Sequence, residues 1–268
     1  MSDMASPEPV RRIPAAPKAG LPPWIRIGLA GLVLAIIAGG AFGIWYLFLR
    51  PAPPAAVALP SLPAASPGAS AATSSEPGAS TAAGGLDGTW QLDATVGSFA
   101  DFSGSFVGYR VQEELASIGA QEAVGRTPDV TGSLTISGTT IDAVEVTADL
   151  TTLQSDDDRR DGQLRRQGIE TGTFPTAAFR LTTPIELAAL PAEGETISVT
   201  GTGELTLHGE TRTVEVPLQA RLSGGVISVT GSVPIAFADY GIKRPTSMLV
   251  LSIADQGTME FQLHFTQA

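Results

Sequence analysis

The chain has 268 residues, a formal net charge of −11 and no cysteine. Without cysteine there are no disulfides, no thiolate catalysis, no thiolate metal sites and no lipidated N-terminal cysteine. The acidic balance disfavours nucleic acid and anionic headgroups, because both are bound by neutralising their charge.

Residues 1–26 form a polar tail that carries Arg11, Arg12, Lys18 and Arg26. From Ile27 to Leu49 there are 23 residues and no charge. At about 1.5 Å per residue a helix of that length crosses the ~30 Å hydrocarbon core of a bilayer with some tilt. The basic residues precede this run and only Arg50 follows closely, which predicts a cytoplasmic N-terminus and an exported C-terminal part. The alternative is a cleaved signal peptide with Ala56-Val57-Ala58 as its site. Secretory apolar cores are shorter, about 7–15 residues, so a retained single-pass anchor in the cell membrane is the expectation. Gly31, Ala35, Gly39 and Gly43 recur every fourth residue, a stripe through which two such helices could pair as a homodimer. Trp24, Trp45 and Tyr46 sit near the ends of the run, where amphipathic rings favour the interface.

Residues 50–85 are almost entirely Pro, Ala, Ser, Gly and Thr beyond Arg50, with Glu76 as the one acid. Such a composition cannot bury enough apolar surface to offset its ordering entropy, and predicts a disordered spacer. As a flexible coil its ends would lie roughly 30–35 Å apart.

Residues 86–268 are one domain's worth, with 24 Asp/Glu against 11 Lys/Arg. The chain has no Asn and its bases are almost all Arg, a bias that points to a GC-rich bacterial gene. Val144, Val146, Ala148 and Leu150 alternate with polar residues. So do Val214, Val216, Leu218, Ala220 and Leu222, and Met259, Phe261, Leu263 and Phe265. Period two marks half-buried strands. Ser137-Gly138, Ser223-Gly224-Gly225 and Thr230-Gly231-Ser232 read as turns. Short strands at this spacing predict an antiparallel sandwich or barrel. Ser155, followed by Asp156, Asp157, Asp158 and Asp161, reads as an N-cap and an acidic first turn, predicting a short helix over about 156–168. A second helix is expected near Glu113–Ile118.

Chemistry is sparse. No Ser has Gly at both −2 and +2, so there is no nucleophile elbow. Gly241-Ile242-Lys243 is no P-loop and Gly201-Thr202-Gly203 no dinucleotide fingerprint. Arg159 stands where a calcium loop built on the Asp cluster would need a ligand. His208 at a strand end and His264 on a polar strand face read as turn-capping or solvated residues. No catalytic residue, metal site or cofactor is expected. The remaining candidates are aromatic: Phe99, Phe102, Phe106 and Tyr109 early, then Phe174, Phe179, Phe237, Tyr240, Phe261 and Phe265.

Three segments in order resemble the YceI-like family of exported lipid-binding β-barrels. Gly203-Glu204-Leu205-Thr206-Leu207-His208-Gly209-Glu210-Thr211-Arg212-Thr213-Val214 is similar to that family's hairpin. Arg160-Asp161-Gly162-Gln163-Leu164, followed by Thr173-Phe174-Pro175-Thr176-Ala177-Ala178-Phe179, is similar to a second stretch, and Asp239-Tyr240-Gly241-Ile242 to a third. The resemblance spans roughly 86–268. It implies an all-β fold, an eight-stranded antiparallel lipocalin-like barrel with a short helical insertion. It also implies non-catalytic binding or carriage of a polyisoprenoid-like amphiphile in the cell envelope. Many members carry early histidines and a His where Gln163 stands; Asp93 to Val111 has none. Phe106, Tyr109, Phe179, Phe237, Tyr240, Phe261 and Phe265 are the expected lining of the ligand cavity. The alternative is a solid barrel that acts as an envelope protein-interaction module and takes no lipid.

Overall fold

The computed structural model describes residues 31–32, 34–41, 53–59, 85–116, 119–245 and 250–268. The chain divides into two compact units, Met1–Ala52 and Pro53–Ala268. In the first, residues 31–32 and 34–41 are helical and exposed. Among the described residues no helix is long and apolar enough to cross a membrane. The rest of the expected anchor 27–49, Gly43 included, lies outside the described residues, as do the tail 1–26 and most of the expected spacer 50–85.

The second unit is built from strands β1 (Gly88–Leu92), β2 (Phe106–Leu115), β3 (Gly119–Thr127), β4 (Val130–Ser137), β5 (Thr140–Asp149), β6 (Gln154–Ser155) and β7 (Thr176–Leu181). They are followed by β8 (Ile185–Glu186), β9 (Thr196–Leu207), β10 (Glu210–Ser223), β11 (Val226–Ala236), β12 (Val250–Ile253) and β13 (Gln256–Gln267). The order β1-β4-β5-β7-β9-β10-β11-β13 closes on itself where β13 pairs with β1, giving an eight-stranded antiparallel barrel. Closure leaves no row of unpaired backbone groups around this ring.

Two staves are composite. β1 and β2 lie along the same edge of β13, with Leu92 opposite Phe265 and Phe106 opposite Gln262. Residues 93–105 are a loop inserted between these halves. β3 runs into β4 through Pro128, which has no amide to donate and marks the break in the ladder. The upper half of this stave pairs with β5 and the lower half with β6.

Alternation sets the two faces. Met259, Phe261, Leu263 and Phe265 point inward from β13. Their neighbours Glu260, Gln262 and His264 point outward, yet are only 1, 4 and 3% exposed. The loop 93–105 accounts for this on Gln262 and His264. Gln262 Nε2 donates to the Phe102 and Gly104 carbonyls at 3.0 and 2.9 Å, and the His264 amide to Ser105 Oγ at 3.0 Å. His264 is therefore a buried residue and not a solvated one. A strand's period shows which face a residue is on, but not whether a distant loop covers that face.

Other expectations change in similar ways. The segment at Glu113 is strand: Glu113–Leu115 belong to β2 and pair with both β3 and β12. Thr230-Gly231-Ser232 is no turn but the middle of β11. Gly231 lies directly opposite Phe261, and a Cβ on it would stand 2.5 Å from that ring. The acidic helix is present as Asp158–Gln163, continued by a π-helical turn over Leu164–Gly168. Its cap is Asp157, which accepts from the Arg159 and Arg160 amides. Ser155 instead donates its hydroxyl to the buried Asp161 at 2.7 Å.

Candidate functional site

The inward faces of β2, β4, β5, β7, β9, β10, β11 and β13 line a cavity of about 140 Å³. Its lining is aliphatic and aromatic; Arg221 is its one charged member. By register Arg221 points away from the interior, since Ala220 and Leu222 take the inward positions, and its Nε donates to Thr196 Oγ1 at 3.0 Å. The space exists because several inward positions are small: Ala148, Ala177, Gly201 and Ala220. The atoms nearest a Cβ on Gly201 would be methyl carbons of Leu181, Ile185 and Leu218, at 3.5 to 3.9 Å. The cavity reaches the barrel end that holds the β4–β5 and β10–β11 turns, where Leu86, Ile185, Leu187 and Pro191 form the rim. Leu190, next to that rim, is 41% exposed.

Three of the seven expected lining residues, Phe179, Phe261 and Phe265, face the cavity. Phe106 does not. It sits on the outer face, 2% exposed, with the Arg126 guanidinium 4.3 Å above its ring and Phe102 edge-on at 5.9 Å. The smaller Val107 takes the inward position instead. Tyr109 packs its ring over Gly125 near Arg160 and Asp161, outside the cavity lining, and burial pushes its phenol up from its ordinary value. Tyr240 is core and Phe237 packs at its margin against Gly257; neither lines the cavity. The hydroxyls of Tyr109 and Tyr240 are buried without a hydrogen-bond partner among the described residues. The aliphatic rim at Leu86, Leu187 and Pro191 was not among the expected residues. For Leu187 and Pro191 the sequence signal is the apolar stretch Leu187 to Ala192.

The buried charged groups among the described residues are engaged in structure. Glu260 accepts from Arg110 Nε at 2.6 Å and from Arg126 Nε and Nη2 at 2.8 and 2.6 Å. Burial pulls Arg126 below the ordinary guanidinium value, while its hydrogen bond to Glu260 pushes back. Arg160 ties the helix to the barrel through Glu113 at 2.7 Å, and also pairs with Asp156 at 2.5 Å. His208 stands at φ 53° in the β9–β10 turn. There its Nδ1–H donates to the Tyr240 carbonyl at 2.9 Å, and Phe174 packs against the ring at 4.2 Å. Ser228 Oγ donates to His264 Nδ1 at 2.9 Å and His264 Nε2–H to the Ser103 carbonyl at 2.9 Å. This pair faces outward, and neither residue lines the cavity.

A closed eight-stranded antiparallel barrel with an apolar interior and a short helix defines the class of fold. Within that class the chain belongs to the YceI-like domain family, whose model matches residues 89–265. Solved structures that it resembles include a polyisoprenoid-binding domain from Saccharophagus degradans implicated in plant cell wall breakdown. That domain is 23% identical, with 67% of this chain and 98% of that one covered at a TM-score of 0.52. BcnA from Burkholderia cenocepacia is 20% identical, with 65% and 98% covered at a TM-score of 0.47. A YceI protein from Campylobacter jejuni is 15% identical, with 52% and 82% covered at 0.43. A comparison with curated proteins finds no match.

Proposed function

We propose that this protein is a non-catalytic binder of an amphiphilic lipid of the isoprenoid class, and that it acts from a membrane to which residues 27–49 anchor it. The observation that carries the proposal is the apolar cavity inside the closed barrel. A hydrocarbon tail that leaves water for such a space is stabilised by about 0.8 kcal/mol per buried CH₂. No inward polar group lines it, so the interior holds tail and the head stays at the rim. The family, and the polyisoprenoid-binding domain of Saccharophagus degradans, support the same ligand class.

The size of the cavity limits what it holds at rest. About 140 Å³ is below the ~300 Å³ at which ligand pockets begin. It is close to the roughly 150 Å³ that accepts a benzene ring, or about one isoprene unit. A longer chain enters only if the rim residues and the rings of Phe179 and Phe261 move aside. The small volume is also the one observation that favours a solid-barrel interaction module.

Mass spectrometry of organic extracts from the purified full chain separates the two readings. The expected result is one class of isoprenoid amphiphile, absent from a Gly201→Phe variant that fills the cavity. An empty wild-type barrel whose melting temperature ignores added polyprenyl alcohol would overturn the lipid reading.

A further inference from the structure

On the outer wall, away from the cavity, two buried guanidiniums receive a segment of the chain's own N-terminal region. Arg110 and Arg126 have side chains only 10 and 4% exposed. Glu260 takes the Nε–H of both, and Glu122 takes Nη1 of Arg110. A guanidinium has five N–H donors, so donors remain. Arg110 Nη2 directs its donors to the carbonyl oxygens of Pro54 and Ala55, each at 2.5 Å. Arg126 Nη2 reaches the Ala55 carbonyl at 2.9 Å. Pro54, Val57 and Leu59 are half-buried, while Pro53, Ala55, Ala56 and Ala58 are exposed. The segment thus has an inner and an outer face.

The chemistry of the two sides agrees. Residues 53–59 are uncharged, and the two arginines with Glu122 and Glu260 form a neutral cluster. What the cluster offers is directed donors, and backbone carbonyls are what an extended proline-alanine segment presents. Proline fixes its own φ and holds the residue before it extended, which lowers the ordering cost of such a segment.

We propose that Arg110, Arg126 and Glu260 form a docking site for residues 53–59 of the same chain. Docking divides the expected spacer in two. Residues 60–84 fall between the docked segment and β1 in sequence. Only residues 50–52 separate the apolar run 27–49 from the docked segment, a reach of roughly 10 Å at ~3.3–3.6 Å per residue. Docking then leaves three residues of the expected spacer between the apolar run and the docked segment, whether or not the cavity takes a lipid.

The chain has no cysteine, so introduced pairs can be spin-labelled cleanly. Ala56→Cys and Thr131→Cys, both at exposed positions, are placed in the full chain in detergent micelles and the distance distribution is measured by electron–electron resonance. One narrow distance is expected. Replacing the residues of 53–59 other than the labelled position 56 by Gly-Ser, which leaves the barrel intact, should widen it several-fold. So should Arg110→Lys, which keeps the charge and loses the forked donors. A broad, coil-like distribution in the unaltered segment, or a narrow one that persists in both variants, would overturn the proposal.

Discussion

His264 shows how a single residue carries both packing and pH dependence. Burial holds its pKa below the ordinary 6.5, opposed only by its bond to the Ser103 carbonyl. The unfolded chain therefore takes up this proton more readily than the folded one. The stability this residue supports is complete above about pH 6.5 and falls as the pH drops below it. Denaturant midpoints for His264→Gln should accordingly vary less between pH 7 and 5 than those of the wild type; an equally steep wild-type slope in both would count against it. Glu260 is the other decisive residue. Glu260→Ala leaves the buried Arg126 guanidinium without its carboxylate and Arg110 with Glu122 alone, and should cost about 3–5 kcal/mol by chemical denaturation, with Glu260→Gln intermediate. Neither role was legible in the sequence, where Glu260 and His264 read as the polar half of an alternating strand. Phe106 carries the same lesson: residue type suggested an interior aromatic, but register assigns the inward position to Val107.

At the scale of elements, glycines in strands separate into two uses. Gly203 and Gly231 lie beneath the rings of Phe179 and Phe261, where a Cβ would fall 2.5 Å from a ring atom. Gly201 faces open cavity. Gly201→Ala should raise stability by about 0.5–1 kcal/mol, since glycine in a strand is entropically costly relative to alanine, with little loss of ligand uptake. Gly231→Val should displace the Phe261 ring into the cavity and reduce uptake, read as lipid recovered per mole of protein. The helix shows how a cap is chosen. Ser155 and Asp157 both suit an N-cap by composition, and the tertiary contact of Ser155 with Asp161 leaves the role to Asp157. Asp157→Ala should cost about 1 kcal/mol. The strands at 144–149, 214–222 and 259–266 were readable because one face is buried along each, while Leu150, the last of the first alternating set, opens a 3-10 turn. The end of β2 was not, because Glu113, Glu114 and Leu115 are set by pairing with β3 and β12 and not by local pattern.

At the scale of the molecule, ligand binding and stability are one measurement. If the barrel binds a lipid in its folded state only, a free concentration of 100 times Kd adds about 2.7 kcal/mol. The melting temperature of the full chain should rise with polyprenyl alcohol and stay unchanged in Gly201→Phe. Composition, the uncharged run 27–49 and strict two-residue alternation determine by themselves that a β-domain follows an apolar segment and a polar spacer, since these depend only on local chemistry and chain order. The three matched segments likewise placed the domain in its family. Only the tertiary structure decided which face of each strand is inside, how much space remains there, and that Arg110 and Arg126 receive residues 53–59. Those outcomes depend on which strands close the ring and which loop lies over which wall, and contacts made across so many intervening residues leave no periodic trace in the sequence.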